Sequence, residues 1–248
     1  MATADVFEAD TATQPAPQWG VADAVVGWVL AEVAAFLVAG VILRVAGYTG
    51  RRATVAHLPL TLIALTYPPL WLGFVGVPTY AAVRRGNGLV RDFAFRIARI
   101  DVPVGIAAGV MSQLLLVPLV SLPLLKLLGR SAADLEAPAR MLADKANHPF
   151  GVVVLFVIVV IGAPIAEELF FRGLVMRSVE RSLGAPAAIG ISALAFGITH
   201  FEGLQTPALV AFGVVLGWLV YRTGRLGTAI VAHMSFNAVS IIALLATR

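Results

Sequence analysis

The sequence predicts an all-α membrane protein, a polytopic bundle of about seven transmembrane helices (six to eight) that encloses a polar cavity within the membrane. Two observations predict it. Of the 248 residues, 59% are hydrophobic and only 13% are charged, whereas a soluble domain carries about 25% charged residues. So many apolar side chains cannot all fit in one core, and many of them must face lipid.

The chain divides into a tail and one membrane domain. Residues 1–20 contain acidic residues and prolines but no Lys or Arg, which is typical of a flexible tail rather than of a secretory signal. We expect residues 21–248 to form a single membrane domain.

Seven apolar blocks follow the tail, most of them near the length of about 20 residues that a spanning helix needs. They cover residues 24–46, 58–83, 102–128, 150–171, 186–200, 207–221 and 226–246. The runs are continuously apolar and do not alternate, which predicts helices rather than barrel strands. Because two blocks are short and two are long, six or eight spans are also open. The charged stretch 131–148 is predicted to be an interfacial or extramembrane loop.

The charged residues and the missing cysteines exclude several classes of function. The chain has no Cys, so it has no disulfide, no thiolate nucleophile and no Cys-ligated metal. Its net charge of +4 comes mainly from arginines that lie between the apolar blocks. Such arginines flank membrane spans, and we therefore expect membrane lipids, and not nucleic acid, as partners.

Ionisable residues inside apolar blocks are the candidate functional residues, because each costs at least about 2.5 kcal/mol at the centre of a membrane helix. Glu168 and Arg172 are four residues apart, so they share a helix face and can pair, which leaves Glu167 available for another task. His233 and Asn237 share a face for the same reason. The fifth block ends in His200.

These candidates also match in depth. Glu167 lies 17 residues before Gly184 and His200 lies 16 residues after it, so both stand roughly 25 Å from a turn at that glycine. His233 and Asn237 stand roughly 13 and 20 Å from the turn between the sixth and seventh blocks, on the same side. We therefore predict that all four side chains line one cavity inside the bundle.

Such a cavity suits the attack of water on an amide bond. Glu167 can take a proton from the water as a general base. His200 and His233 can ligate a divalent metal, or they can hydrogen-bond the water and the developing oxyanion. Asn237 offers N–H donors to that oxyanion. Membrane-associated proteins or peptides are the expected substrates.

Three motifs carry a family resemblance. Glu167–Arg172 is E-E-x-x-x-R, Phe196–His200 is F-x-x-x-H, and His233–Asn237 is H-x-x-x-N, in that order. Together they resemble the CAAX protease and bacteriocin-processing (CPBP) family, also called the Abi family, which includes the type II CAAX prenyl endopeptidases. The resemblance covers about residues 151–240.

The resemblance implies a membrane endopeptidase whose protease core lies at about residues 150–246. The implied catalytic residues are Glu167, Glu168, His200, His233 and Asn237, with Arg172 as structural support. Among them, Glu168 and His200 are expected to orient the water. Both a zinc site, with His200, His233 and Glu167 as candidate ligands, and a metal-free glutamate protease are open.

Two other functions are open as well. A catalytically silent scaffold or immunity protein can share this fold, and a proton-coupled transporter also places Glu and His in mid-membrane. A transporter predicts pseudo-symmetric halves, which the sequence lacks. The composition, rich in Ala, Val and Arg with little Lys, is typical of a high-GC bacterium. We therefore expect a multi-pass protein of the bacterial cytoplasmic (inner) membrane.

Overall fold

The fold is a bundle of nine α-helices in residues 15–247, the part of the chain that the computed structural model describes. Six of these helices are long and apolar enough to cross a membrane. The nine helices are α1 (Val21–Val45), α2 (Leu60–Arg85), α3 (Leu89–Phe93), α4 (Asp101–Leu128), α5 (Ala132–Asp144), α6 (Pro149–Leu183), α7 (Ala185–Ile198), α8 (Thr206–Thr223) and α9 (Leu226–Ala246).

The predicted fold class, a polytopic helical membrane bundle, is confirmed. The spanning helices are α1, α2, α4, α6, α8 and α9. The fifth apolar block forms α7, which has 14 residues and therefore covers only about 21 Å of a hydrocarbon core roughly 30 Å thick. Residues 199–205 then connect α7 to α8.

The predicted loop at residues 131–148 is wrong over most of its length, because it contains helix α5. The Ser131 hydroxyl accepts a hydrogen bond from the Asp134 backbone N–H, and the Asp134 carboxylate accepts one from the Ser131 backbone N–H. This reciprocal capping box stabilises the start of a helix. α5 packs against α9 near the cavity described below.

Most of the predicted tail, residues 1–14, lies outside the described residues. Its last part is packed against the bundle. Trp19 is buried, with its ring against Phe93 on one side and beneath the Arg181 guanidinium on the other. Its Nε1 donates a hydrogen bond to Asp92.

α1 and α2 approach each other closely through small residues. Gly27 faces Val77, and Gly73 faces Ala31 so tightly that a Cβ atom at Gly73 would overlap Ala31. Small residues at such contacts are typical of membrane helices, which pack without a hydrophobic driving force between them. Phe36, on another face of α1, is 80% exposed and faces the lipid.

α6 is the longest helix and supplies most of the central residues. Its 35 residues extend for about 52 Å, and it continues beyond the predicted end at residue 171. Two π-helical turns, Phe156–Gly162 and Leu169–Val175, widen it. Pro164 follows the first of these π turns. A proline ring clashes with the preceding turn of a regular α-helix, and the wider π turn leaves room for it. Gly184, with φ of 79°, then reverses the chain into α7, as predicted.

Candidate active site

A cavity of about 290 Å³ lies inside the bundle, between α2, α5, α6 and α9 and the start of α8. Glu167, His200, His233 and Asn237 all line it. The structure therefore brings together the four side chains that matched in depth. The fifth predicted catalytic residue, Glu168, does not line the cavity and is completely buried.

Glu168 forms the centre of a buried chain of hydrogen bonds. Its Oε1 accepts a hydrogen bond from Arg172 Nη1 at 2.9 Å and lies 2.9 Å from His233 Nδ1. A carboxylate can only accept from this ring nitrogen, so Nδ1 carries the proton and donates it. In the neutral imidazole, the Nε2 atom of His233 therefore keeps a free lone pair. This differs from the expectation that Glu168 orients a water, because Glu168 orients the imidazole instead.

Arg172 is held from three directions and balances the charge of Glu168. Its Nη2 donates a hydrogen bond to the backbone oxygen of Gly213 on α8 at 3.1 Å. Its guanidinium also lies over the Phe196 ring of α7, 4.5 Å from the ring centroid. Arg172 therefore connects α6 to α7 and α8.

Glu167 and His233 face each other at the cavity wall. The Oε2 atom of Glu167 lies 3.8 Å from the Nε2 atom of His233, too far for a direct hydrogen bond. A water molecule on the cavity side of both atoms can lie within hydrogen-bond distance of each. Because Nε2 has a lone pair and Glu167 is a carboxylate, both atoms can accept hydrogen bonds from the same water.

His200 and Asn237 are each fixed by one hydrogen bond to the backbone. His200 Nδ1 donates to the Phe196 oxygen at 2.8 Å, which leaves the lone pair of Nε2 free because a carbonyl oxygen can only accept. Asn237 Nδ2 donates to the oxygen of Val159, in the first π turn of α6, at 2.8 Å. One N–H of Asn237 remains available.

A comparison with protein families found a similarity in the part of the chain that contains this site. Residues 149–239 match the family model described as type II CAAX prenyl endopeptidase Rce1-like. This part of the chain is similar to the Rce1-like family. The Rce1-like segment covers somewhat more than a third of the chain and includes α6, α7, α8 and most of α9. The chain matches none of the curated proteins and none of the solved structures with which it was compared.

The Rce1-like match supports the assignment of the protein to the intramembrane proteases of the CAAX type, which are hydrolases. All five predicted catalytic residues lie in the matched segment. Together with six helices of spanning length, the match supports an integral, multi-pass membrane protein that works on a membrane-associated peptide.

The candidate zinc ligands of the Rce1-like segment do not form a ligand group. His200, His233 and Glu167 are of the residue types that bind zinc. Within residues 15–247, however, no three His, Asp or Glu side chains are placed so that they could hold one metal ion. The zinc site therefore stays a prediction.

Several residues that line the cavity lie outside the three motifs and were not predicted from the sequence. Tyr67 of α2 lines the cavity, and so does Gln205, whose Nε2 donates a hydrogen bond to the Leu135 oxygen of α5 at 2.8 Å. Pro138 and Ala139 of α5 also line it. The signal for Tyr67 was the presence of a polar hydroxyl inside the second apolar block. No pattern in the sequence indicated that α5 packs beside the three motifs.

Proposed function

We propose that the protein is an intramembrane endopeptidase that hydrolyses a peptide bond of a membrane-associated protein or peptide with water activated by Glu167. The observation that carries this proposal is the pair formed by Glu167 Oε2 and His233 Nε2, 3.8 Å apart at the wall of an internal cavity. The family match supports the same class of reaction.

In the first step, one water donates its two hydrogens to Glu167 Oε2 and His233 Nε2, which directs an oxygen lone pair at the substrate carbonyl carbon. Glu167 takes one proton as the new C–O bond forms. The π electrons of the carbonyl move to its oxygen, which becomes an oxyanion. The remaining N–H of Asn237 can donate a hydrogen bond to that oxyanion.

In the second step, the tetrahedral intermediate collapses. The carbonyl re-forms, the C–N bond breaks, and Glu167 returns its proton to the leaving nitrogen, so that the carboxylate is regenerated. His200 Nε2 accepts a hydrogen bond from an N–H of the substrate and orients the scissile peptide.

Substrate and location follow from the setting of the site. The family name refers to prenylated proteins, but the mechanism requires only that a peptide bond reaches the cavity within the membrane. We therefore propose a membrane-associated protein or peptide as the substrate, with or without a prenyl group. From the composition we propose a bacterial cytoplasmic membrane as the location.

Proteomic mapping of new protein termini in membrane fractions tests the proposal. Cells that produce the intact protein should contain termini that are missing from cells that produce the Glu167→Gln variant. Glu136→Gln, an exposed substitution on α5, is the matched control and should give the same termini as the intact protein. Each cleavage is then repeated with purified protein in lipid nanodiscs. Equal cleavage by folded Glu167→Gln protein would contradict the proposal.

A further inference from the structure

The cavity contains more hydrogen-bond acceptors than donors. Glu167 and the Nε2 atoms of His200 and His233 present lone pairs to it, because both Nδ1 protons are donated elsewhere. Asn237 and Gln205 each use one N–H on a backbone oxygen. Amide hydrolysis develops negative charge on the carbonyl oxygen, and preorganised donors aimed at that charge are usually the largest source of catalysis. The site needs a further donor.

Tyr67 of α2 has a hydroxyl that can fill this role. It lines the same cavity as Glu167 and His233. In residues 15–247, no hydrogen bond joins its hydroxyl to another protein group. The hydroxyl is not among the fully buried unpartnered groups, so it can donate a hydrogen bond to a ligand in the cavity.

The packing of α2 against α6 holds Tyr67 at the cavity. Its ring lies against Trp71, one turn further along α2, with ring centroids 6.0 Å apart. Trp71 in turn lies over Gly162, where a Cβ atom would overlap the indole ring. Gly162 ends the first π turn of α6. The missing side chain therefore lets α2 approach the part of α6 that precedes Glu167.

We propose that Tyr67 is a catalytic residue that donates its hydroxyl hydrogen bond to the oxyanion of the tetrahedral intermediate. The proposal rests on the proposed function and adds a donor from a helix outside the Rce1-like segment. The phenol remains protonated throughout, because Glu167 carries the proton from the water to the leaving nitrogen. The hydrogen bond strengthens as charge develops and weakens again when the carbonyl re-forms.

Tyr67→Phe removes only the hydroxyl and tests the proposal. We expect kcat for a membrane-presented peptide to fall by about 100-fold, the effect of removing one oxyanion donor, with little change in KM. Tyr80→Phe is the matched control, because Tyr80 lies on the same helix with 62% of its surface exposed. It should keep the kinetics of the intact protein.

A phosphonamidate analogue of the cleaved peptide provides the second measurement, since it mimics the charged tetrahedral intermediate. Its inhibition constant should rise in Tyr67→Phe by the same factor by which kcat/KM falls. Loss of folded protein would lower the amount of active enzyme without changing this constant. An unchanged inhibition constant, an unchanged kcat, or a higher KM alone would overturn the role of Tyr67. If the intact protein cleaved no peptide, the proposed function itself would fail.

Discussion

The imidazole of His233 takes its orientation from Glu168, whose Oε1 lies 2.9 Å from the ring Nδ1. The same oxygen accepts a hydrogen bond from Arg172, and both members of this ion pair are completely buried. A carboxylate that fixes the tautomer and direction of a working imidazole is a recurrent device in hydrolases. Two adjacent glutamates on α6 therefore have different positions, one at the cavity and one behind the histidine.

Glu168→Gln should destabilise the protein strongly, because it leaves the buried Arg172 guanidinium without a counter-charge. We expect a loss of about 3–5 kcal/mol in the free energy of unfolding, measured by reversible unfolding in mixed micelles. Glu136→Gln removes the glutamate of another i,i+4 Glu–Arg pair, which is exposed on α5, and should cost no more than about 1 kcal/mol. Equal losses in the two variants would contradict the buried ion pair.

Gly213→Ala should separate α7 from α8 and disturb Arg172. A Cβ atom at Gly213 would lie 2.9 Å from the Ala193 Cα atom and 3.2 Å from Arg172 Nη2. Overpacking of this kind costs about 1–3 kcal/mol, and we expect kcat to fall with stability. Gly190→Ala, at an open position of α7, should be neutral or stabilising by up to about 1 kcal/mol. If Gly213→Ala behaved like Gly190→Ala in unfolding and turnover, the close contact would be refuted.

Asp101→Asn should lower stability without changing the chemistry. The buried Asp101 carboxylate accepts hydrogen bonds from Arg225 Nη2 at 2.7 Å and from the Thr228 hydroxyl at 2.6 Å. It thus fastens the start of α4 to the turn between α8 and α9. Loss of hydrogen bonds to a charged group should cost about 1.5–3 kcal/mol in unfolding experiments.

For this variant, kcat/KM per folded molecule should match that of the intact protein, because Asp101 does not line the cavity. Asp144→Asn, an exposed substitution on α5, is the control and should change stability by less than about 0.5 kcal/mol. A selective loss of turnover in Asp101→Asn would show that this end of the bundle acts on the active site.

Hydropathy and depth predict much of the fold and the site. A spanning helix needs a long apolar run, and a charged side chain inside the membrane is costly unless it has a function or a partner. The convergence of Glu167, His200 and His233 on one cavity could thus be predicted from their distances to two turns. The position of Glu168 behind His233 could not be predicted. The i,i+4 spacing indicates the pairing of Glu168 with Arg172 on the same helix, but it does not indicate a contact with a residue of another helix. Tyr67 was missed because its place at the cavity depends on how closely α2 and α6 pack, which the periodicity of one helix does not reveal.

The central claim is that Glu167 and His233 act on the same water. Single-turnover cleavage by Glu167→Gln, His233→Ala and the double variant tests it most directly. Groups that act as a unit have strongly non-additive effects on rate. We therefore expect each single variant to lose about 100-fold to 10,000-fold in the rate of the chemical step, and the double variant to lose little more. Rate losses that multiply in the double variant, or unimpaired cleavage by Glu167→Gln, would contradict the account.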